Sequence, residues 1–423
     1  MSSAPRDVRM KGFAARTRVA DAQALLIARL ARLDGERVPI TRALGRVPAR
    51  PVLAPEDVPP HPKSAMDGYA VRAADLPGAL RVVAEQMADD LGGRRVLGPG
   101  EATRVMTGAR VVDGADTVVM VEHTRLDGDR VIVERAEPAG RNVLATGEDV
   151  ARGAPVLGVG RALRGPDMAL AATLGLTELD VVRRPRVRIV PTGDELVPIG
   201  RVRRGAEVIE TNALMLGALA ARDGAEVDLY PIVRDDEAAL ERAIREGETD
   251  VVVVTGGSSV GKRDLGPVVV ARVGALPVHG IHARPASPTG VGFVDGRLVL
   301  LVPGFPVASY VAWDLLGRVA AQRLLGLPPR WPYARLRATL ASPIEKPAER
   351  LDIVRVTLES GVDGDAAPTA HAVPGGAALI STLTRADGFV LVPEGVERLP
   401  AGASVEVRTY EPSLTDEIPV HVG

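Results

Sequence analysis

The sequence predicts a multidomain chain, α/β plus β, with an α/β domain built on a mostly parallel sheet and β-rich stretches before and after it. Three observations carry this. The chain runs 423 residues, enough for two to four domains at roughly 100–200 residues each. From about residue 186 to 327, short apolar runs alternate with helical patterns, as in a parallel sheet with helices on its faces. Over 66–160 and 334–411 the pattern shortens to β-like runs divided by Gly and Asp-Gly turns.

Residues 1–12 read as a polar tail. Residues 19–33 place apolar groups at helical spacing, with Gly35 as a stop. Val38 to Pro62 reads as extended chain with turns, because proline disfavours helix at and before its own position. The next stretch holds strand candidates Leu80–Val83, Thr103–Met106, Thr117–Val121 and Arg130–Val133, with Asp113-Gly114 and Asp127-Gly128 as hairpin turns. In the α/β module, strands are expected at Val187–Val190, Val227–Tyr230 and Val251–Val254. Thr211 or Asn212 is expected to cap one helix, Asp235-Asp236 a second, and a third follows Pro306. The apolar Val251–Val254 run suits a strand buried on both faces. Pro328 to Trp331 reads as a linker. Leu336–Leu340, Ile353–Leu358, Phe389–Val392 and Ser404–Arg408 then suggest a small closed or sandwiched β domain.

Composition narrows the function. Charged residues balance, 52 Lys+Arg against 54 Asp+Glu, which argues against a generic binder of nucleic acid or membrane surface. The absence of Cys removes disulfides, thiolate metal sites and cysteine nucleophiles. Met1 to Gly12 lacks a signal-peptide core, and no apolar run is long enough to span a bilayer. A cytoplasmic protein is expected. Only positions 11, 63, 262 and 346 are Lys, so nearly all positive charge is Arg, which suits bidentate phosphate or carboxylate contacts but also follows from genome composition. The six histidines show no metal-ligand spacing, and no Gly-x-Ser-x-Gly elbow occurs.

Several segments could carry chemistry. Asp67, in Ser64-Ala65-Met66-Asp67-Gly68-Tyr69-Ala70-Val71, is either part of a plain turn or an exposed carboxylate on a constrained loop. Thr107, before Gly108, could offer a hydroxyl and backbone N–H groups to an oxyanion, or sit in an ordinary hairpin. Gly147-Glu148-Asp149 could hold Mg²⁺ or be a solvated turn. Two βα loops of the α/β module rank higher, since open parallel sheets bind ligands beyond the carboxyl ends of their strands. One is Thr192-Gly193-Asp194-Glu195. The other runs Thr255-Gly256-Gly257-Ser258-Ser259-Val260-Gly261, with Asp264 three residues on. Glycines admit phosphate to the backbone, hydroxyls bind its oxygens and a carboxylate can hold Mg²⁺. It is neither a Walker A loop nor a dinucleotide fingerprint. Pro303-Gly304-Phe305-Pro306 could add donors to the same crevice, or be only a strand-to-helix turn.

Taken in order, these segments resemble the molybdopterin molybdenumtransferase family, called MoeA in bacteria and archaea and present as the E domain of gephyrin. The Ser64 to Val71 string is the most specific match. Met106 to Ala109, Arg141-Asn142 with Gly147 to Asp149, Thr192 to Leu196, Thr255 to Gly261 with Asp264, and Pro303 to Ser309 follow it. The resemblance implies four domains: a linker domain (13–54 and 150–184), a β-rich insert (55–149), an α/β molybdopterin-binding domain similar to the molybdopterin adenylyltransferase fold (185–327), and a C-terminal β-barrel (332–412). It implies a homodimer whose site is shared between the α/β domain of one subunit and the insert of the other. A molybdopterin adenylyltransferase could also dock. The implied substrates are adenylylated molybdopterin and molybdate, with Mg²⁺ assisting and AMP leaving.

On that resemblance Asp67, Thr107, Asp149, Glu195 and Asp264 are catalytic. Glu195, Asp235 and Asp264 are the Mg²⁺ ligands. Gly256, Gly257, Ser258, Ser259, Gly261, Arg284, Pro303 and Gly304 bind the cofactor. Arg350, Arg355 and Ser381 fall where the family contacts anions. The chain also departs from the family. Gly-Gly-Val-Ser-Val-Gly is Gly256-Gly257-Ser258-Ser259-Val260-Gly261 here. Lys-Pro-Gly-Lys-Pro is Arg284-Pro285-Ala286-Ser287-Pro288, and Pro-Gly-Asn-Pro is Pro303-Gly304-Phe305-Pro306. These changes leave two alternatives, a tungstate-inserting paralogue and a non-catalytic pterin-binding scaffold.

Overall fold

The computed structural model describes residues 16–89, 96–256, 264–360 and 367–410. The chain forms two compact units, one of residues 36–181 and one of residues 1–35 with 182–423.

In the larger unit a six-stranded sheet runs in the order Glu226–Leu229, Arg186–Pro191, Val251–Thr255, Arg297–Val302, Gly290–Val294, Ala275–His279. The first four strands are parallel, and Gly290–Val294 is antiparallel to both of its neighbours. Three of the parallel strands fall on the expected Val187–Val190, Val227–Tyr230 and Val251–Val254, and the fourth on the apolar run Leu298–Val302. The last two strands were not legible, because Gly290, Gly292 and Pro277 dilute their pattern. Alternate residues of the central strands enter two different cores. Val187, Ile189, Val251, Val253, Leu298 and Leu300 pack on one face; Val190, Val252, Val254, Val299 and Leu301 pack on the other. This is why Val251–Val254 has no polar face.

Helices Glu237–Arg245 and Leu265–Val273 cover the second face. The first face takes Asn212–Arg222, the run from Pro306 to Leu324, and Val19–Arg29. The sequence reading groups Val19–Arg29 with the linker domain, but its buried Val19, Ala22 and Leu26 join this α/β core. The helix also stops at Arg29, ahead of the expected Gly35, which instead opens a strand. The run after Pro306 contains a π-helical turn, Trp313–Gly317. The fully buried Trp313 ring lies over Gly317, where an added Cβ would come within 2.4 Å of it.

The C-terminal strands close into a five-stranded barrel, which decides between the closed and sandwiched alternatives. Leu351–Glu359 pairs with Thr369–Ala372 and with Gly388–Val392. Ala334–Leu340 pairs with Thr369–Ala372 and Ser404–Thr409, and the latter returns to Gly388–Val392. Val356, Val390, Val405 and Val407 fill its interior.

The unit of residues 36–181 carries a second six-stranded sheet, ordered Thr117–Met120, Gly68–Val71, Glu101–Val105, Gly78–Gln86, Arg130–Val133, Thr124–Asp127. Asp127-Gly128 forms the predicted hairpin turn. Asp113-Gly114 does not. Asp113 bridges Val96 in parallel, and Gly114, at φ +91°, turns against the Leu97 carbonyl. A separate core of Val38, Ala43, Leu157, Leu163, Ala171, Leu179 and Val181 lies around helix Gly165–Thr173. Asp167 holds the start of that helix, accepting from Arg164 N at 2.7 Å and from both terminal nitrogens of Arg161 at 2.6 Å. Those bonds keep its carboxyl below the usual range despite burial.

Candidate active site

In the parallel sheet, Pro191, Thr255 and Val302 are in register at the carboxyl ends of the three central strands. Their loops therefore start side by side. Thr192 N and Oγ1 donate to Thr255 O at 2.9 and 3.2 Å, Gly193 N donates to Val233 O at 3.1 Å, and Gly256 N donates to Val302 O at 3.2 Å. Gly256 adopts φ +90°, and a Cβ there would sit 2.5 Å from Thr192 O. Only glycine fits that approach. Gly304 lies beside Gly256, within 3.6 Å of its Cα for a built Cβ. Gly290 opposes Leu301, so the segment after Arg284 arrives at the same carboxyl edge.

Asn212, the first residue of its helix, joins these loops. Its Nδ2 donates to Thr255 Oγ1 at 3.0 Å and to Gly304 O at 2.8 Å. The sequence reading gave Asn212 only a capping role. The N-cap residue is Thr211, but its side chain makes no capping bond; Glu210 Oε1 accepts Ala213 N at 2.9 Å instead. Glu210 is nearly buried, and loss of hydration pushes its carboxyl up, partly offset by the N–H groups of Ala213 and Asn212. A three-residue polar string, Glu210-Thr211-Asn212, just before an apolar helix was the available signal.

The predicted acids take different places. Glu195 is exposed and folds back over Gly193, where a Cβ would meet its carboxylate oxygens at 2.8 Å. Asp235 is half-buried, and its N–H donates to Asp194 Oδ1 at 3.2 Å, tying the Glu195 loop to the Asp235 loop. Asp236 is the cap of the second helix, accepting Ala239 N at 2.6 Å. Asp264 is half-buried at the N-cap position of Leu265–Val273 and makes no side-chain capping bond. Among the described residues no three His, Asp or Glu side chains converge as a ready metal cage. Mg²⁺ asks for less, one or two carboxylates with phosphate oxygens and water completing its shell. Hard oxygen donors on the adjoining Glu195 and Asp235 loops fit that requirement. Gly257, Ser258, Ser259 and Gly261 lie outside the described residues.

Arg284 is exposed and stands in register with Asp352. Asp352 is already paired with Arg350, at 2.7 and 3.2 Å. Arg284 thus adjoins Asp352 along the backbone, while Arg350 takes its carboxylate. Ala286 adopts φ +94° where the resembling family has glycine. Arg355 is buried; one terminal nitrogen donates to Gly375 O at 2.9 Å, while its Nε has no partner among the described residues. Burial lowers its affinity for the proton. Ser381 is exposed at the start of a five-residue helix.

In the other unit Asp67 and Thr107 are brought together. Thr107 N and Oγ1 both donate to Asp67 Oδ1, at 2.6 and 2.8 Å. Those two bonds, the backbone one first, hold the exposed Asp67 carboxyl below its ordinary value. The loop is fixed from behind. Val121 N donates to Asp67 O, and Ala65 N to the carbonyl of Asn142, itself at φ +54°. Asp149 is exposed on a turn whose Gly147 and Asp149 N–H groups bond Pro59 O and Val58 O, each at 3.0 Å.

The order of these modules is matched by known families. Residues 17–175 match the MoeA N-terminal region (domain I and II), 188–323 match the family described as "Probable molybdopterin binding domain", and 337–410 match the MoeA C-terminal region (domain IV). The chain belongs to the MoeA family. A MoeA relative named molybdopterin molybdenumtransferase 2, from Mycobacterium tuberculosis, is 33% identical over 88% of this chain and 94% of its own. A molybdopterin molybdenumtransferase of Staphylococcus aureus is 30% identical over 90% and 92%. The crystal structure of a molybdopterin biosynthesis MoeA protein from Pyrococcus horikosii matches with a TM-score of 0.81 at 29% identity, covering 94% of this chain and 100% of that one. Among the described residues of this MoeA chain no helix is long and apolar enough to cross a membrane.

Proposed function

We propose that this MoeA-family chain takes adenylylated molybdopterin and molybdate, cleaves the adenylate bond, releases AMP and leaves molybdenum on the dithiolene. The observation that supports this most is the crevice at the carboxyl ends of the central strands, where Gly256 and Gly304 expose backbone beside a buried Asn212 clamp. A diphosphate fits such a surface, because no Cβ intervenes between its oxygens and the peptide groups.

In this reading Pro303 and Gly304 line the phosphate with Gly256, and Gly257, Ser258, Ser259 and Gly261 keep the cofactor-binding role that the resemblance implies. Glu195, Asp235 and Asp264 would hold Mg²⁺, which supplies positive charge against the diphosphate oxygens. Arg284 faces the anionic substrate as a fixed guanidinium; among the described residues no carboxylate forms an ion pair with it. Asp67, Thr107 and Asp149 orient the pterin or the oxyanion. The Asp67 carboxylate stays ionised at neutral pH, so it can accept hydrogen bonds from a pterin ring. They act from the partner subunit of a homodimer, and light scattering should return twice the chain mass. Docking of a molybdopterin adenylyltransferase would deliver the substrate directly.

The test is AMP release from adenylylated molybdopterin with Mg²⁺ and no oxyanion, molybdate or tungstate. Release that depends on molybdate supports the transferase, and preference for tungstate reassigns the metal. Glu195→Ala and Asp264→Ala should each abolish release while the circular dichroism spectrum is kept. Unchanged release in both removes their assigned roles. A pterin-binding scaffold is favoured by one observation, the Arg284 to Pro288 element with its single cation, and would show binding without release under every oxyanion.

A further inference from the structure

We propose that Phe305 is a stacking platform at the lip of the crevice, where it takes the flat aromatic heterocycle of a phosphate-bearing ligand. This rests on the reading of the crevice as the site of adenylylated molybdopterin. Of the ten aromatic side chains among the described residues, nine are buried or half-buried, while Phe305 is 59% exposed. An open phenyl ring in a chain with 3% aromatics needs an occupant more than an exposed Leu would, since aromatic rings carry the largest apolar area.

Its setting is rigid. The Phe305 carbonyl accepts Ser309 N at 2.9 Å and Ser309 Oγ at 3.2 Å, and Ser309 Oγ also bonds Pro303 O. Phe305 is the N-cap of helix Pro306–Ala312, with the proline fixing the next φ. Only the side-chain torsions are left to move. Directly before it, Gly304 offers no side chain and its carbonyl is held by Asn212, so Phe305 leaves the glycine-lined floor at its next residue. On the other flank, Val307 N donates to Ala377 O at 3.0 Å. That bond brings Leu379 and Ile380, 51% and 42% exposed, to the same end of the module. An apolar lip next to an open backbone floor matches a ligand with a planar ring at one end and phosphate at the other. Where the resembling family's Pro-Gly-Asn-Pro loop has Asn, an amide would hydrogen-bond; this chain presents a phenyl ring there instead. Stacking is tolerant of ring identity because every base has a π-face. Adenine and pterin therefore share the chemistry.

Titration calorimetry on the full chain with AMP, neopterin monophosphate and ribose 5-phosphate separates them, using wild type, Phe305→Trp and Phe305→Leu. Phe305→Leu should weaken one heterocycle about 10-fold or more and leave ribose 5-phosphate unchanged, and Phe305→Trp should retain wild-type affinity. The heterocycle that is lost identifies the stacked ring. Equal weakening of all three ligands, or wild-type affinities in Phe305→Leu, would overturn the platform and leave the crevice reading standing. If the wild type binds none of the three, the crevice reading falls and Phe305 with it. A change only in the sedimentation of Phe305→Leu, with ligand affinities intact, would make the ring a protein contact and also refute the proposal.

Discussion

The mouth of the parallel sheet and the Asp67 loop hold their polar groups in opposite ways. At the sheet, Asn212 and Thr255 are 9% and 2% exposed, and each is engaged by the others before any ligand arrives. At the Asp67 loop both partners are exposed, and two donors of Thr107 converge on a single oxygen of one carboxylate. The first arrangement fixes backbone positions and leaves little to reorganise, which is what electrostatic preorganisation requires. The second fixes one oxygen of an exposed carboxylate and leaves Oδ2 to meet a ligand. A buried polar clamp is costly to break, since an unsatisfied buried group loses roughly 1–3 kcal/mol. An exposed one is cheap to alter but changes the charge the surface offers.

The hardest blow to this contrast falls behind the exposed pair. Gly68 follows Asp67, and a Cβ there would lie 2.0 Å from the backbone oxygen of Val119 on the next strand. Gly68→Ala must push apart Gly68–Val71 and Thr117–Met120. A loss of more than about 3 kcal/mol is expected, in the range of severe overpacking. Hydrogen exchange should show the sheet of residues 68–133 losing protection, while the 186–302 sheet keeps its own. Equal loss in both sheets would mean that the two units do not melt separately.

Asn212→Ala strikes the buried side. It strands Thr255 Oγ1 and Gly304 O, for roughly 2 kcal/mol, and frees the Gly304 loop from Thr255. The melting midpoint should fall, and turnover should fall by more than the substrate affinity, because loop placement rather than ligand contact is lost. A fall in affinity with turnover kept would instead make Asn212 a direct ligand contact. Ala286→Gly works in the opposite direction. A buried Ala at φ +94°, its carbonyl accepting both N and Oγ1 of Thr289, carries a Cβ in a region where L-residues are strained by about 1–2 kcal/mol. Glycine relieves that and loosens the unfolded chain, so a net gain of roughly 0.5–1 kcal/mol is expected by thermal melting. A loss would show that the Cβ contacts outweigh the strain.

How much of this was legible depended on distance along the chain. The parallel strands and the Asp236 cap were readable because an apolar run or a cap acts within a few residues. The Thr107–Asp67 contact spans 40 positions and was visible only through a resemblance that named both residues. Asn212 was missed as a clamp because its partners lie 43 and 92 residues away, and nothing local distinguishes an amide that ties loops from one that caps. The Glu210 cap was missed for a related reason. Thr at an N-cap is the commoner pattern, and burial, which makes the Glu carboxylate take over, is a property of the fold. Asp113-Gly114 misled as a hairpin because a glycine at positive φ also serves where another chain segment presses close.

The smallest effect sharpens the exposed side. Thr107→Val keeps the shape and deletes the 2.8 Å hydroxyl bond to Asp67, while the 2.6 Å backbone bond survives. The backbone bond is the larger cause of the lowered Asp67 pKa, so the pKa should rise yet stay below the ordinary carboxylate value. The sign follows from linkage. A carboxyl depressed in the folded state contributes stability that is present above its unfolded pKa and lost as pH falls through its folded one. The variant should therefore complete that loss at a higher pH than the wild type and have less to lose, so the two differ near neutrality and converge in strong acid. Carbon-detected NMR titration of the Asp67 carboxyl between neutral and strongly acid pH reads this directly. A return to the ordinary value in Thr107→Val would show that the hydroxyl, and not the peptide N–H, sets the charge at this loop, and the contrast with the backbone-fixed crevice would then rest on side chains alone.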